Sequence, residues 1–233
     1  MNFQPSELDN IIGPEVNQNT QSYYVIQEYI KRVPVKTIIE IGASSGGGTT
    51  ESLINGIQKS GRKTKLASLE VSKPRFDNLK KRYQHLDWFT PYNKSSLPIS
   101  FFPSERDVAT FILDTKVHGG NVPEVIRWLR QDIRYLKEHN IEDDGIAAIK
   151  KDFNVSSFDI ACIDGSEFLG NVEFEALPNC DAYILDDIHV YKCWYAHRKL
   201  LNDPNYVLLF EEKNRGGTSL FTKKEIAEKY FKN

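Results

Sequence analysis

The residues with the clearest potential for chemistry lie in a segment rich in glycine and serine, residues 38–49, with the sequence IIEIGASSGGGT. The segment begins in an apolar run typical of a buried strand and ends where a helical pattern starts. Glycine lets the backbone turn sharply and approach a ligand closely, and the start of a helix offers unpaired N–H groups. Because ligands of open α/β sheets bind at the carboxyl ends of strands, the segment predicts a nucleotide-like ligand.

Glu70 stands at the end of the second predicted strand, at the same edge of the sheet. A carboxylate in this position can accept hydrogen bonds from both hydroxyl groups of a ribose. The alternative is that the glycines form an ordinary turn and that Glu70 is an unrelated surface residue. Because both features occur in the correct strand order, we favour nucleotide binding.

Acidic residues follow two later predicted strands. Asp164 comes after residues 158–163, and Asp186 and Asp187 come after residues 182–185. Carboxylates that end adjacent parallel strands converge, which is costly unless cations neutralise them. A hard divalent cation such as Mg²⁺ suits such a group, and it would bind a substrate hydroxyl and lower its pKa. The alternative is that Asp186 and Asp187 cap the following helix, and that Asp164 bonds to the loop or the cofactor without a metal.

The glycine-rich segment does not fit the dinucleotide fingerprint G-x-G-x-x-G, because Ser44 is the second residue after Gly42. Its form from Glu40 to Gly46 is E-x-G-x-x-x-G, which resembles motif I of the class I S-adenosylmethionine-dependent methyltransferases. The resemblance extends from about Tyr23 to Lys224, apart from an insertion described below. It implies S-adenosyl-L-methionine as the cofactor. The residues that it implies for cofactor binding are Glu40, Gly42, Ala43 and Gly46 around the methionine part, Glu70 at the ribose, and Ser95 or Ser96 near the adenine.

The acidic segments resemble those of metal-dependent small-molecule O-methyltransferases, of the catechol type and of the type that acts on macrolide sugars. This resemblance implies that Asp164, Asp186 and Asp187 bind magnesium. The sugar-modifying enzymes have a histidine base, and the catechol type has a lysine, at the position where this chain has Glu167. Either Glu167 is the base, or His189 supplies an imidazole, or base chemistry is minor. The remaining histidines show no such placement and are assigned no role: His85, His118, His139 and His197.

The order of strands and helices predicts the fold that must position these residues. The predicted helices are residues 20–32, 49–59, 73–83, 122–139 and 191–201, and the predicted strands are 33–41, 65–70, 88–92, 158–163, 182–185, 206–211 and 219–222. Their alternation predicts an α/β, Rossmann-like three-layer sandwich with a mostly parallel seven-stranded sheet. The last two strands are separated by a turn at residues 214–217, so they must form an antiparallel hairpin.

Residues 98–157 interrupt this alternation and form an insertion within a single domain of residues 1–233. The insertion has its own predicted helix, residues 122–139, with an apolar stripe and a basic stripe; we interpret the basic stripe as a solvated face. Because long ordered insertions are often functional, we expect a lid or a substrate-recognition element that governs the acceptor rather than the cofactor.

The composition is that of an ordinary globular protein: 233 residues with a net charge of −2 and a pI near 6.2. This charge gives no bulk attraction to nucleic acid or to a membrane surface. The cysteines, Cys162, Cys180 and Cys193, are odd in number and widely spaced, which predicts reduced, buried thiols. The N-terminal segment is polar and no membrane-spanning run is present, so we expect a cytoplasmic protein.

These observations predict methyl transfer from S-adenosylmethionine to a hydroxyl group of a small molecule such as a sugar or a natural product, with magnesium assistance left open. The alternatives are an NAD-dependent oxidoreductase and a non-catalytic, cofactor-binding relative of the methyltransferases. The substitution of Glu167 for the usual histidine or lysine is the best support for the second alternative. The sequence leaves two properties open: the identity of the acceptor, and whether the chain forms a homo-oligomer.

Overall fold

A single mixed sheet organises the molecule, which a computed structural model describes over residues 7–10, 13, 16–141, 143–213 and 216–231. Within these ranges its seven strands are β1 (Thr37–Ile41), β2 (Lys65–Leu69), β3 (Phe89–Tyr92), β4 (Ile160–Ile163), β5 (Ala182–Asp186), β6 (Tyr206–Glu212) and β7 (Thr218–Lys223). Their order across the sheet is β3-β2-β1-β4-β5-β7-β6, and β7 runs antiparallel to both of its neighbours. The predicted Rossmann-like α/β fold with an antiparallel terminal hairpin is confirmed.

Helices cover both faces of this sheet. In the described residues they are α1 (Gln21–Arg32), α2 (Thr49–Ser60), α3 (Lys73–Tyr83), α4 (Glu105–Thr115), α5 (Val122–Glu138), α6 (Gly145–Phe153), α7 (Gly170–Ala176), α8 (Trp194–Asn202) and α9 (Lys224–Tyr230). The sequence pattern does not predict α4, α6, α7 or α9. These helices have 7 to 11 residues, too few turns for a clear apolar period. No helix in the described ranges has the length and apolar character needed to cross a bilayer.

The sheet separates two apolar cores. In β1, Ile38 points into the core covered by α1 and α2, whereas Ile39 and Ile41 point into the core covered by α6, α7 and α8. Successive residues of a strand face opposite sides, and strands buried on both sides have continuous apolar sequences, as in this chain. The cysteines are free and buried, as predicted.

The chain between β3 and β4 leaves the sheet and returns to nearly the same place. The N–H of Gly145 donates to the carbonyl oxygen of Ser95 at 2.9 Å, and the N–H of Ile146 donates to that of Ser96 at 3.0 Å. Helix α6 then packs Ile149 into the second core. Residues 97–144 are therefore the part that departs from α/β alternation, and α6 is an ordinary crossover helix.

Two predictions fall partly on residues that the structure does not describe. In the predicted turn between β6 and β7, Asn214 and Arg215 lie outside the described residues. Most of the N-terminal segment that was used to predict localisation also lies outside them.

Candidate active site

A cavity of about 550 Å³ opens at the carboxyl ends of the parallel strands, within the range of roughly 300–1,000 Å³ usual for small-molecule sites. The predicted site residues on its wall are Glu40, Gly42, Ala43, Glu70, Ser96, Asp164, Asp186 and Asp187. Among the described residues, the wall does not include Gly46, Glu167 or His189. The fold therefore brings most of the predicted cofactor-binding residues and all three predicted metal-binding aspartates to one place.

The turn after β1 is shaped by Gly42, whose φ of +88° is unstrained only for glycine. A Cβ on Gly42 would lie 1.9 Å from the carbonyl oxygen of Asp164, so no larger residue fits between the ends of β1 and β4. The N–H groups of Gly42 and Ala43 both donate to the carbonyl oxygen of Leu69 at 3.0 Å. These contacts hold the turn against the end of β2.

Gly46 shapes the same turn from outside the cavity. Its φ is +78°, and a Cβ on it would lie 2.7 Å from side-chain atoms of Leu79 and Tyr83. The hydroxyl of Tyr83 donates to the carbonyl oxygen of Gly46 at 2.6 Å. Gly46 therefore lets the turn pack closely against α3.

Glu70 is a buried wall residue whose carboxylate is fixed by two backbone donors. The N–H of Ser44 donates to one oxygen, and the N–H of Ser72 donates to the other, both at 2.7 Å. Burial raises the pKa of Glu70, while the Ser72 N–H and the charge of Arg75 act in the opposite direction. The side chain is thus held between the turn after β1 and the start of α3.

Glu40 reaches the wall from inside β1. The hydroxyl of Thr50 donates to both of its carboxyl oxygens at 2.9 Å, and the hydroxyl of Ser68 donates to one of them. Burial raises the pKa of Glu40 to about 7, although both hydroxyl donors lower it. Glu40 therefore joins β1, β2 and α2 beneath the cavity.

Glu173 of α7 is a wall residue that the sequence analysis did not identify. The hydroxyl of Ser96 donates to its Oε1, but its Oε2 and the Oγ of Ser45 are buried without a hydrogen-bond partner among the described residues. Burial raises the pKa of Glu173 to about 7, although the hydrogen bond from Ser96 lowers it. Unpaired buried oxygens on one wall call for an explanation, and a polar ligand with hydrogen-bond donors fits them.

The carboxylates of Asp164, Asp186 and Asp187 converge as predicted, but the ammonium of Lys192 lies among them. Its Nζ is 2.9 Å from Asp164 Oδ1, 3.5 Å from Asp186 Oδ2 and 2.7 Å from Asp187 Oδ2. Burial by itself would lower the pKa of Lys192, but the three carboxylates outweigh it and raise this pKa well above the usual range. We call these three aspartates the acidic cluster.

The acidic cluster in this arrangement does not fit a divalent cation. Mg²⁺ requires oxygen ligands at about 2.0–2.1 Å in octahedral geometry, and Lys192 Nζ takes the space between the three carboxylates. Among the residues that the structure describes, no group of three or more His, Cys, Asp or Glu side chains is arranged to hold a metal. The function proposed below therefore involves no step through a metal.

The alternative role of the acidic pair as a helix cap is wrong. Helix α8 begins at Trp194, well beyond Asp187, and its N-cap Cys193 makes no side-chain capping bond. Asp186 instead accepts a hydrogen bond of 2.8 Å from the hydroxyl of Thr218 in β7. The terminal hairpin thus helps to hold the acidic cluster.

The residues predicted as the base do not line the cavity. Glu167 pairs with His118 of the insertion, with 2.9 Å between Oε1 and Nε2. This hydrogen bond raises the pKa of His118, although burial lowers it. His189 lies against the terminal hairpin, where its backbone N–H donates to the carbonyl oxygen of Gly216 at 2.9 Å. His118, a histidine to which the sequence pattern gives no role, lies next to Glu167 in the folded chain.

The insertion contributes part of the cavity wall. Its wall residues are Phe102, Asp132, Tyr135 and Leu136. The hydroxyl of Ser166, after β4, donates to Asp132 Oδ2 at 2.6 Å, and burial raises the pKa of Asp132 to about 6. Tyr135 and Leu136 pack with Val71, the residue after Glu70. The insertion therefore contacts the wall both beside Glu70, the predicted ribose ligand, and after β4, at Ser166.

The fold occurs in solved methyltransferases, although no protein-family profile and no curated protein matches the sequence. The chain is similar to an O-methyltransferase from Bacillus cereus in complex with SAH, with 14% identity, a TM-score of 0.55, and 92% of this chain and 85% of that chain covered. It is also similar to a provisionally named caffeoyl-CoA O-methyltransferase from Staphylococcus aureus, with 12% identity, a TM-score of 0.51, and 88% and 83% covered. At these identities the similarity concerns the fold: the chain has the Rossmann-like fold of methyltransferases.

Proposed function

We propose that this protein transfers the methyl group of S-adenosyl-L-methionine to a hydroxyl oxygen of a small molecule such as a sugar or a natural product. The observation that carries the proposal is one cavity in which the Gly42 turn meets the fixed carboxylate of Glu70, in a methyltransferase fold. S-adenosylmethionine supplies a methyl group that its positively charged sulfonium already activates. The protein then has to bind the cofactor and the acceptor, align them, and remove the proton from the acceptor hydroxyl.

The charge of the wall favours a cationic cofactor. Its carboxyl groups belong to Glu40, Glu70, Asp132, Asp164, Glu173, Asp186 and Asp187. The basic residues on the wall are fewer and have partners: Lys192 pairs with the acidic cluster, Lys94 with Asp143, and Arg82 with Glu51, while the guanidinium of Arg75 donates to the carbonyl oxygen of Asn10. The wall carboxyl groups that stay ionised attract a sulfonium, whereas the diphosphate of NAD would add negative charge to the wall. This argues against the NAD-dependent oxidoreductase.

The residues that we propose for cofactor binding are Glu40, Gly42, Ala43, Gly46, Glu70 and Ser96. Glu70 still has lone pairs to accept hydrogen bonds from ribose hydroxyls after the two backbone donors are counted. Gly42 and Ala43 offer a close backbone approach. Glu40 and Gly46 act by holding the turn, and Ser96 acts by orienting Glu173.

The base for the acceptor hydroxyl stays a proposal, with Glu167 and His189 as its candidates. Glu167 is oriented by His118, which makes a paired carboxylate and imidazole next to the wall residue Ser166. Neither candidate lines the described wall. The second candidate function is therefore that of a protein that binds the cofactor without catalysing methyl transfer.

The test is a transfer assay with S-adenosylmethionine labelled in the methyl group and a panel of sugars, phenols and hydroxylated natural products. We expect label in at least one hydroxylated acceptor, and loss of that label with Glu70→Ala. Tight binding of S-adenosylhomocysteine without transfer to any acceptor would favour the non-catalytic function. Failure to bind S-adenosylhomocysteine would contradict both.

A further inference from the structure

The backbone that carries Lys192 is fixed by the neighbouring helix. A Cβ on Gly170 would lie 2.4 Å from the carbonyl oxygen of Lys192, so the start of α7 packs directly against this backbone. The side-chain amide of Asn171 donates to the carbonyl oxygen of Tyr191 at 2.9 Å, and Cys193 is fully buried. Lys192 itself is 5% exposed. Its side chain is therefore part of the packed interior, unlike a surface lysine that has folded inward.

The ammonium of Lys192 can bond to each carboxylate of the acidic cluster. Lysine has three N–H donors, and the three carboxylates of the cluster surround Nζ. Asp186 gains a further donor from Thr218. Removing one partner of a buried ion pair leaves an uncompensated charge, which is strongly destabilising. Lys192 thus places one positive charge between the convergent carboxylates.

We propose that Lys192 takes the place of a divalent cation at the acidic cluster, so that methyl transfer by this protein needs no metal. Lys192 is a positioning residue here, since it holds the carboxylates of Asp164, Asp186 and Asp187 together. The acceptor then binds by donating hydrogen bonds to these carboxylates rather than by chelating a metal. The inference about methyl transfer rests on the proposed function. The position of Lys192 in place of a divalent cation is a property of the folded chain and does not depend on that function.

The experiment measures Mn²⁺ binding to the full chain by the loss of the electron paramagnetic resonance signal of free Mn²⁺. The variants are Lys192→Met and, as a matched control, Lys199→Met, whose lysine is exposed on α8 and pairs with Glu175. We expect the wild type and the control to leave Mn²⁺ free up to about 1 mM, the weak end of protein sites for such hard cations. Lys192→Met should bind one Mn²⁺ per chain at least about tenfold more tightly, because the carboxylates lose their ammonium. Adding Asp186→Asn to Lys192→Met should remove this gain.

Two results would overturn the proposal. One is stoichiometric Mn²⁺ binding by the wild type, and the other is a folded Lys192→Met variant with no gain in Mn²⁺ affinity. The wild-type titration is decisive even where Lys192→Met does not fold. Calorimetry with S-adenosylhomocysteine in the presence of a chelator separates the two proposals. If the wild-type protein does not bind S-adenosylhomocysteine, the proposed function is contradicted. If it binds S-adenosylhomocysteine and also binds Mn²⁺, only the role of Lys192 is contradicted.

Discussion

The Oε2 of Glu70 accepts a hydrogen bond of 2.7 Å from the backbone N–H of Ser44. This bond joins the end of β2 to the turn after β1 at the cavity wall. Ser44 has a φ of +49°, which is uncommon for residues other than glycine. The shape of the turn and the orientation of the carboxylate therefore depend on each other.

Replacing Glu70 by alanine should weaken the binding of S-adenosylhomocysteine by about tenfold or more, since a hydrogen bond to a charged group contributes about 1.5–3 kcal/mol. Isothermal calorimetry measures the affinity, and circular dichroism verifies that the variant is folded. Glu28→Ala is the matched control, because Glu28 lies exposed on α1 and pairs with Arg32. Equal affinities of wild type and a folded Glu70→Ala variant would remove the basis for the ribose assignment.

Replacing Gly42 by alanine should destabilise the fold by about 3 kcal/mol or more, because strain at a positive φ adds to a clash with backbone. The clash is with the carbonyl oxygen of Asp164. The matched control is Gly61→Ala, since Gly61 has a φ of +65° with nothing near its Cβ position, so it should cost only about 1 kcal/mol. Urea unfolding measures both values. Similar losses in the two variants would show that close approach to Asp164 is unimportant.

The strands, five of the described helices and the glycine-rich turn could be predicted from the sequence because their signals are local. An apolar run that ends at a glycine predicts strand β1, and the end of the next apolar run predicts the position of Glu70. Lys192 and Glu173 could not be predicted, since each is buried by chain segments distant in sequence: the start of α7 covers the first, and Ser96 bonds the second.

The predicted base shows the same limit. His118 and Glu167 are 49 residues apart in sequence, and their pairing depends on how the insertion folds back onto the segment after β4. No local pattern reports such a contact. The acidic cluster was predicted in position because strand ends fix it, but its partner was not.

Deleting residues 98–143 and joining Leu97 to Asp144 should leave a folded sheet domain. The ends meet, because Ser96 is hydrogen-bonded to Ile146, and α6 keeps its core contacts. We expect loss of acceptor turnover and also about tenfold weaker S-adenosylhomocysteine binding, since Tyr135 leaves the wall and its buried area is lost. Unchanged cofactor affinity in this deletion would restore the simpler expectation from the sequence, in which the insertion governs the acceptor alone.

The pH dependence of stability should report on Glu173. Burial raises its pKa from 4.5 to about 7 in the folded chain, so the unfolded chain loses this proton first as the pH rises. The contribution of Glu173 to stability is therefore full below about pH 4.5 and falls between about pH 4.5 and 7, by on the order of 3 kcal/mol. Glu173→Gln cannot titrate and should flatten this part of the profile.

The control for this pH profile is Glu175→Gln, on the same helix but half exposed and paired with Lys199. It should leave the profile of unfolding free energy against pH unchanged. If Glu173→Gln and Glu175→Gln give the same profile as the wild type, the carboxyl of Glu173 is not held protonated by burial.

The most direct test of the central claim is a pair of calorimetric titrations of the wild-type chain, one with S-adenosylhomocysteine and one with NAD. The wall of carboxylates and the turn at Gly42 predict that S-adenosylhomocysteine binds with one molecule per chain and that NAD does not bind. A chelator in both titrations removes any contribution from a metal. Binding of NAD, with no heat from S-adenosylhomocysteine at the same protein concentration, would contradict the assignment of this cavity to a methyl donor.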